Sequence, residues 1–264
     1  MDDAADAETQ HKNHAVYFVP GLHRGLRVLE IVAAARRPLS ITEIASELGL
    51  TRSSVFRLIY TLRHMGFLEE EQSKQFALGP RVLNIGFAFL ASKDIIEIAR
   101  PELEALRDET LVSAHLAIRD ERDVLYLSCV QTRSGFLSNM NVGSRVPAYA
   151  SPMGWLLLAG LPQAELEELF RKERFAPLTS QTPTSTPELI ATVEAAAARG
   201  HVVSRGVMEA AGSSISAPII DRRGTVVAAI DISGPDSAFD LDQIDGRYLA
   251  AVRAAAKRIS ERLG

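Results

Sequence analysis

Thr51-Arg-Ser-Ser-Val-Phe-Arg-Leu-Ile-Tyr-Thr-Leu-Arg-His-Met65 carries Arg52, Arg57 and Arg63 without a single acidic residue. At about 100° per residue in a helix, Val55, Leu58, Ile59 and Leu62 gather on one face, which belongs to a core. Ser53, Arg57, Tyr60 and His64 fall on the opposite face, flanked by Ser54 and Thr61. A merely solvated helix face ordinarily mixes both charge signs. Hydroxyl, guanidinium, phenol and imidazole groups without a carboxylate suit phosphates and base edges, and a helix fits the major groove. Thr51 reads as the N-cap and Gly66 as the stop. With Arg52, the helix start is also suited to a phosphate.

Upstream, Leu22, Leu26, Leu29, Val32 and Ala33 recur at helical spacing until Arg36-Arg37-Pro38, where proline ends the ladder. Ser40-Ile-Thr-Glu43 has the form of a capping box. Ile41, Ile44, Ala45 and Leu48 give that short helix its apolar face, and Gly49 follows at a position favouring positive φ. Downstream, Phe67-Leu68 and Phe76-Ala77-Leu78 read as a small hairpin across seven mostly polar residues. Three short helices and a hairpin make a winged helix-turn-helix. Lys74, near the loop centre, is the expected wing contact to DNA, and Glu69, Glu70 and Glu71 are expected to point away from phosphates. Arg81–Ala91 is a short, strongly apolar helix expected to pack on another domain or subunit.

Charge supports the division. Residues 20–68 hold seven arginines against Glu30, Glu43 and Glu47, a balance of +4. The whole chain of 264 residues carries −4, so a basic segment sits in an acidic remainder. From Lys93 the texture changes to strands among helices, as in an α+β or α/β domain. Helices are expected at about Asp94–Leu111, Met153–Gly160, Pro162–Arg174, Pro187–Arg199 and Leu241–Leu263. Strands are expected at Ser113–Arg119, Val124–Gln131, Ser214–Ile220 and Thr225–Ile232.

Other functions find little support. The longest apolar run, Met153–Leu161, has nine residues, whereas a membrane span needs about 20. The polar N-terminus carries no signal-peptide core, so a soluble cytoplasmic protein is expected, with no membrane partner. Cys129 is the only cysteine; it lies in an apolar strand, with His115 in another, and reads as structural rather than nucleophilic. His11 and His14 have metal-like spacing in a polar tail, an improbable zinc site. His201 reads as solvated. No Gly-x-Ser-x-Gly elbow or phosphate-cradling glycine loop occurs, so neither an enzyme nor a cofactor is expected. An enzyme tethered to nucleic acid would need a catalytic constellation in the second domain. A ligand-independent architectural protein would lack a ligand-shaped cavity.

Arg24-Gly-Leu-Arg-Val-Leu-Glu30, Ile41–Leu50, Ser53-Ser-Val-Phe-Arg-Leu-Ile59, Gly66-Phe-Leu68, Phe76–Leu90, Val142-Gly143, Pro147–Leu158 and Ala217–Asp221 through Ser233-Gly234 resemble the IclR (isocitrate lyase regulator) family of bacterial transcription factors. The resemblance runs from about residue 18 to the C-terminus. It implies an α+β chain: a flexible tail (1–19), a winged helix-turn-helix (20–79), a helical linker used in dimerisation (80–93) and a GAF-like effector domain (94–264). It also implies a homodimer or homotetramer on a palindromic double-stranded operator, answering to a small-molecule effector. Pro147–Gly154 and Pro80–Leu83 look most like regulators of aromatic-acid catabolism.

The family's effector positions fall here on Pro152, Met153, Gly154, Ser204, Ser214, Asp231 and Ser233. Ser151-Pro152 has the form of an N-cap and first-turn proline, which would leave the amides of Met153 and Gly154 free for a carboxylate. Asp231 would repel an anion unless neutralised; Arg205 is one candidate partner, and a less acidic ligand is the other solution. Trp155 stands where relatives commonly carry Lys or Arg.

Overall fold

The computed structural model describes residues 16–132 and 140–263. His11, His14 and most of the expected tail lie outside them. The chain divides into two units, Met1–Ser92 and Lys93–Gly264.

In the first unit, α1 (Pro20–Ala35) buries Val28 and Val32 and ends at Arg36 in a left-handed conformation. The short strand β1 (Leu39–Ser40) leads directly into α2 (Ile41–Leu48). The capping box forms. The Ser40 amide donates to Glu43 Oε2 at 2.8 Å, while the Glu43 amide donates to Ser40 Oγ at 3.3 Å. Arg37 adds a 2.8 Å bond to Glu43. These contacts, the Ser40 amide first, hold the Glu43 carboxyl down at about 2. Gly49, with φ +63°, turns the chain into α3 (Arg52–His64), whose N-cap is Thr51. Val28, Ile44, Val55, Ile59, Leu68 and Phe76 form the core of this unit.

The wing departs from expectation. β2 (Leu68–Glu71) runs through the three glutamates and pairs antiparallel with β3 (Gln75–Leu78), which also carries β1 on its other edge. Only Gln72–Lys74 is left as the turn, with Ser73 and Lys74 at positive φ. The strand extends because cross-strand pairing outweighs glutamate's weak β propensity. α4 (Arg81–Ala91) follows and has no buried residue; Leu83, Ile85 and Phe87 are each more than half exposed within this chain.

The second unit is built on a six-stranded antiparallel sheet in the order β6-β5-β4-β9-β8-β7. Its strands are β4 (Ser113–Asp120), β5 (Asp123–Val130), β6 (Arg145–Pro147), β7 (Val202–Arg205), β8 (Gly212–Ile220) and β9 (Val226–Pro235). Residues Ala228–Ile232 of β9 are buried one after another, so both faces of the sheet are covered. α5 (Asp94–Thr110) and α9 (Leu249–Leu263) pack together and against β4 and β8. α6 (Pro152–Leu158) packs on β8 and β9 and meets α8 (Thr186–Arg199), which in turn meets α7 (Gln163–Phe170).

Two expected helices are shorter. α7 stops at Phe170, and the segment from Leu241 winds through a 3-10 turn and a π turn before becoming α-helical at Leu249. β6 was not expected, being too short for alternation to register, whereas β7 lies where a strand beginning at His201 is expected. Among the described residues no helix is long and apolar enough to cross a membrane.

Candidate functional site

On α3 the residues read as outward are outward. Ser53, Ser54, Arg57, Tyr60, Thr61 and His64 are exposed, as are Thr51 and Arg52, while Val55 and Ile59 are buried. Thr51 Oγ1 accepts from the Ser54 amide at 3.3 Å and lies 3.1 Å from Ser53 Oγ, so the helix start is a cluster of hydroxyls. Phe56, which the helical pattern did not single out, is also 55% exposed, with its ring 6.4 Å from that of Tyr60. Lys74 is exposed at the tip of the wing turn. One glutamate does not point away. Glu70 reaches back from β2 to Arg63 at 2.6 Å, tying down one of the three α3 arginines.

In the second unit, register assembles a polar band that no single strand displays. Ser204 pairs with Ser214, Ser214 with Ser233, and Ser233 with Ser113. One step along, Ser216 pairs with Asp231, Asp231 with His115, and His115 with Cys129. Because side chains two apart share a face, both rows lie on the side of the sheet that also presents Tyr126 and Ala229. Ser214, Ser216, His115 and Asp231 are buried.

The polar groups in this band answer one another. His115 Nδ1 lies 2.8 Å from Asp231 Oδ1 and 3.3 Å from Ser233 Oγ. Ser214 Oγ donates to Asp231 Oδ2 at 3.2 Å. His115 Nε2 is buried without a protein partner, and its ring meets Tyr126 edge-on at 5.7 Å. Burial, then the Asp231 charge, pushes the Cys129 thiol up to about 12. It is therefore a thiol and a poor nucleophile at neutral pH. Burial and then Asp231 likewise raise Tyr126 well above the usual phenol value. Among the described residues no cluster of His, Cys, Asp or Glu could hold a metal ion.

A cavity of about 110 Å³ opens against this band, lined by Tyr126, Pro152, Ser204, Ser213, Ser214 and Ser233 among others. Of the seven expected effector residues, Pro152, Ser204, Ser214 and Ser233 meet there. The other three do not line it. Met153 is fully buried in the core. The Gly154 amide is not free, because Ser151 Oγ accepts from it at 3.4 Å. A Cβ at Gly154 would collide with the Ala148 carbonyl, so this glycine serves close packing. Asp231 sits behind Ser214, and its partners are His115 and Ser214. Arg205 instead pairs with Asp236 at 2.8 Å, since adjacent residues of β7 face opposite sides. Trp155 is a core residue whose indole N–H donates to the Tyr149 carbonyl at 2.8 Å. Polar residues at a spacing of two in otherwise apolar strands (Ser113/His115, Ser214/Ser216, Asp231/Ser233) were the signal available for His115 and Ser216, which sequence reasoning did not select as site residues.

Residues 21–72 match the IclR helix-turn-helix domain, and residues 87–261 match the bacterial transcriptional regulator IclR C-terminal domain. The Pca regulon regulatory protein of Pseudomonas putida is 29% identical over 93% of this chain and 84% of its own length. A crystal structure of a transcriptional regulator from Rhodococcus sp. RHA1 superposes with TM-score 0.81 at 33% identity, covering 93% of this chain and 98% of that one. An IclR homologue from Microbacterium hydrocarbonoxydans, crystallised with 4-hydroxybenzoate, shares the fold with TM-score 0.78 at 24% identity over 92% of this chain and 98% of its own. An exposed, acid-free helix, a cavity in the second unit and two family matches that together span most of the chain lead to one conclusion: the protein belongs to the IclR family of ligand-responsive, DNA-binding transcriptional regulators, which are not enzymes.

Proposed function

We propose that the chain reads its operator with Thr51, Arg52, Ser53, Ser54, Arg57, Tyr60 and His64 of the α3 region, with Lys74 of the wing on an adjacent phosphate. The observation that carries this reading is the exposed, acid-free face of α3. The hydroxyls and cations at its start favour phosphate, and Arg57 and Tyr60 stand where a helix in the major groove meets base edges. The functional division runs as tail (1–19), DNA-binding domain (20–79), linker (80–93) and effector domain (94–264). Self-association through the apolar, exposed α4 gives a homodimer, or a homotetramer of such dimers, matched to a palindromic operator. Such a regulator works in the cytoplasm.

The effector is a small organic metabolite held in the cavity by Ser204, Ser214 and Ser233 beneath Pro152. At about 110 Å³ the cavity is somewhat smaller than the roughly 150 Å³ that holds benzene, so the effector is a small molecule of at most about one ring. An aromatic catabolite is the reading that the 4-hydroxybenzoate bound to the Microbacterium homologue suggests for this chain. Ligand acts by stabilising one arrangement of the paired DNA heads over another, because only differential affinity shifts an equilibrium.

The test is a duplex selected from random sequence, with binding followed by fluorescence anisotropy at fixed salt. Arg57→Ala is expected to weaken binding by about 1–3 kcal/mol, and rising salt to weaken both proteins through counterion release. Unchanged affinity of Arg57→Ala would remove α3 from the interface.

A further inference from the structure

Given the reading above that the cavity is the effector site, three of its wall residues lead to one buried pair, His115 and Asp231. Ser214 Oγ donates to Asp231 Oδ2 at 3.2 Å, Ser233 Oγ lies 3.3 Å from His115 Nδ1, and the Tyr126 ring meets the imidazole edge-on at 5.7 Å. His115 Nδ1 and Asp231 Oδ1, 2.8 Å apart, share a proton. Whichever atom holds it, the pair then carries a net negative charge. Asp231 Oδ2 is already taken by Ser214, whereas His115 Nε2 is buried without a protein partner and is the atom open to a second proton.

The groups that face the ring leave the charge to this pair. From β5 come Cys129 and Tyr126, which burial first and Asp231 second hold in their neutral, protonated forms. From β8 come Ser214 and Ser216, and from β9 comes Ser233 beside Asp231. α6 packs on this face and has no titratable residue between Pro152 and Leu158. Glu209 lies on the cavity wall, and Arg205, on the opposite face of the sheet, is paired with Asp236.

An anion entering beside this pair would add a second negative charge in a poorly solvated place. A proton on Nε2 offsets it. The pair becomes an imidazolium and a carboxylate, and the new N–H finds its acceptor in the anion, directly or through a water. Without the anion, the same proton would leave a buried N–H with no acceptor. Protonation and anion binding therefore support each other.

We infer that His115 is the charge-balancing residue of the effector site, taking up a proton as an acidic effector binds. Affinity for acids then rises as pH falls between about 8.5 and 6.5, and affinity for their neutral amides does not.

The test is titration calorimetry of the full chain with matched ring acids and amides, beginning with 4-hydroxybenzoate and 4-hydroxybenzamide, in buffers of different ionisation enthalpy. At about pH 8, each acid that binds is expected to take up close to one proton and each amide none. Affinity for the acid falls by up to about tenfold per pH unit above about 7, while affinity for the amide stays level. With isotope-labelled histidine, one of the six imidazoles passes from neutral to imidazolium when acid is added. His115→Gln keeps a donor for Asp231 but cannot take the proton, so uptake is lost and the acid weakens at least about tenfold relative to its amide. If that variant does not fold, the histidine spectrum of the unaltered protein decides. Uptake that persists in His115→Gln places the proton on the ligand or on Glu209 and overturns the inference. An acid that binds without uptake, and is blocked by the cavity-filling Ser214→Trp, also overturns it and leaves the cavity as the effector site. Binding that survives Ser214→Trp overturns the site itself. A panel in which no acid binds overturns the inference.

Discussion

On α3, Ser53, Arg57, Tyr60 and His64 stand in solvent and take no part in the core, whereas His115, Ser214, Ser216 and Asp231 lie buried in a sheet covered on both faces. The two polar sets face different physical demands. An exposed polar group is already satisfied by water, so its identity is free to be chosen for a partner. A buried one has to be satisfied within the protein, and each member then fixes the protonation and aim of the next. The exposed α3 stripe is thus a set of nearly independent residues, and the buried band behind the cavity is one connected network. Substitutions in the first are expected to alter binding and leave stability alone. Substitutions in the second are expected to alter both.

The largest expected effect probes that contrast directly. His115→Leu removes the 2.8 Å partner of Asp231 and leaves a carboxylate buried with Ser214 as its one remaining bond. Breaking a buried pair from one side costs about 3–5 kcal/mol. Urea unfolding followed by Trp155, the single tryptophan, reads the second unit directly. Exposed Arg57→Ala lies in the first unit, so its unfolding is followed by circular dichroism of the helices, and it is expected within about 0.5 kcal/mol of the unaltered protein. A cost below about 1 kcal/mol for His115→Leu would break the comparison, since the band would then behave like a surface. Replacing both partners, His115→Leu with Asp231→Leu, is expected to recover much of the loss, because no uncompensated charge remains.

A smaller effect sharpens the other side. In the first unit a local device, the α2 capping box, adds to the apolar core. Ser40→Ala removes an N-cap and is expected to cost about 1 kcal/mol. Glu43 is held at about 2, against an ordinary value of 4.5, mainly by the Ser40 amide and then by its hydroxyl and Arg37. A carboxyl depressed in the folded state adds stability that is fully present above 4.5 and lost as pH falls toward about 2. Ser40→Ala leaves the amide in place, so it removes only part of this pH dependence. The gap between the two proteins, measured by denaturation at several pH values, is expected to be constant above pH 5 and to narrow toward pH 2. A gap that widens on acidification would place the depression of Glu43 elsewhere.

These differences also explain what could be read before the structure. Ser40-Ile-Thr-Glu43, Gly49 and the Val55/Ile59 face are local patterns, decided within one turn or one helix, and they place the DNA-binding head directly. The wing was misread because β2 takes its three glutamates from pairing with Gln75–Leu78, a tertiary demand that overrides propensity. In the second unit the resemblance reached Ser204, Ser214 and Ser233 as cavity residues. The partner of Asp231 was out of reach, because His115 stands 116 residues away and adjoins it only through the β4–β9 register. Ser151 reads as the N-cap from sequence, but that its hydroxyl takes the Gly154 amide, and that the Ala148 carbonyl leaves no room for a side chain there, is visible only in the structure.

The smallest expected effect lies at an ion pair that ties α3 to the wing. Arg63 and Glu70 face each other at 2.6 Å, with side chains 45% and 33% exposed. A pair this open contributes at most about 1 kcal/mol, so Glu70→Gln is expected to shift stability by less than about 0.5 kcal/mol. Its effect on DNA is of a different kind. The substitution deletes a negative charge from the wing and frees the guanidinium of Arg63, so affinity for a non-cognate duplex is expected to rise several-fold. The dependence of log K on log salt steepens by about one. Anisotropy titrations on mixed-sequence duplex at several salt concentrations read both quantities. Steepening without loss of stability shows that Glu70 restrains indiscriminate phosphate binding. An unchanged salt slope places Arg63 outside the interface and leaves the reading stripe as proposed, without it.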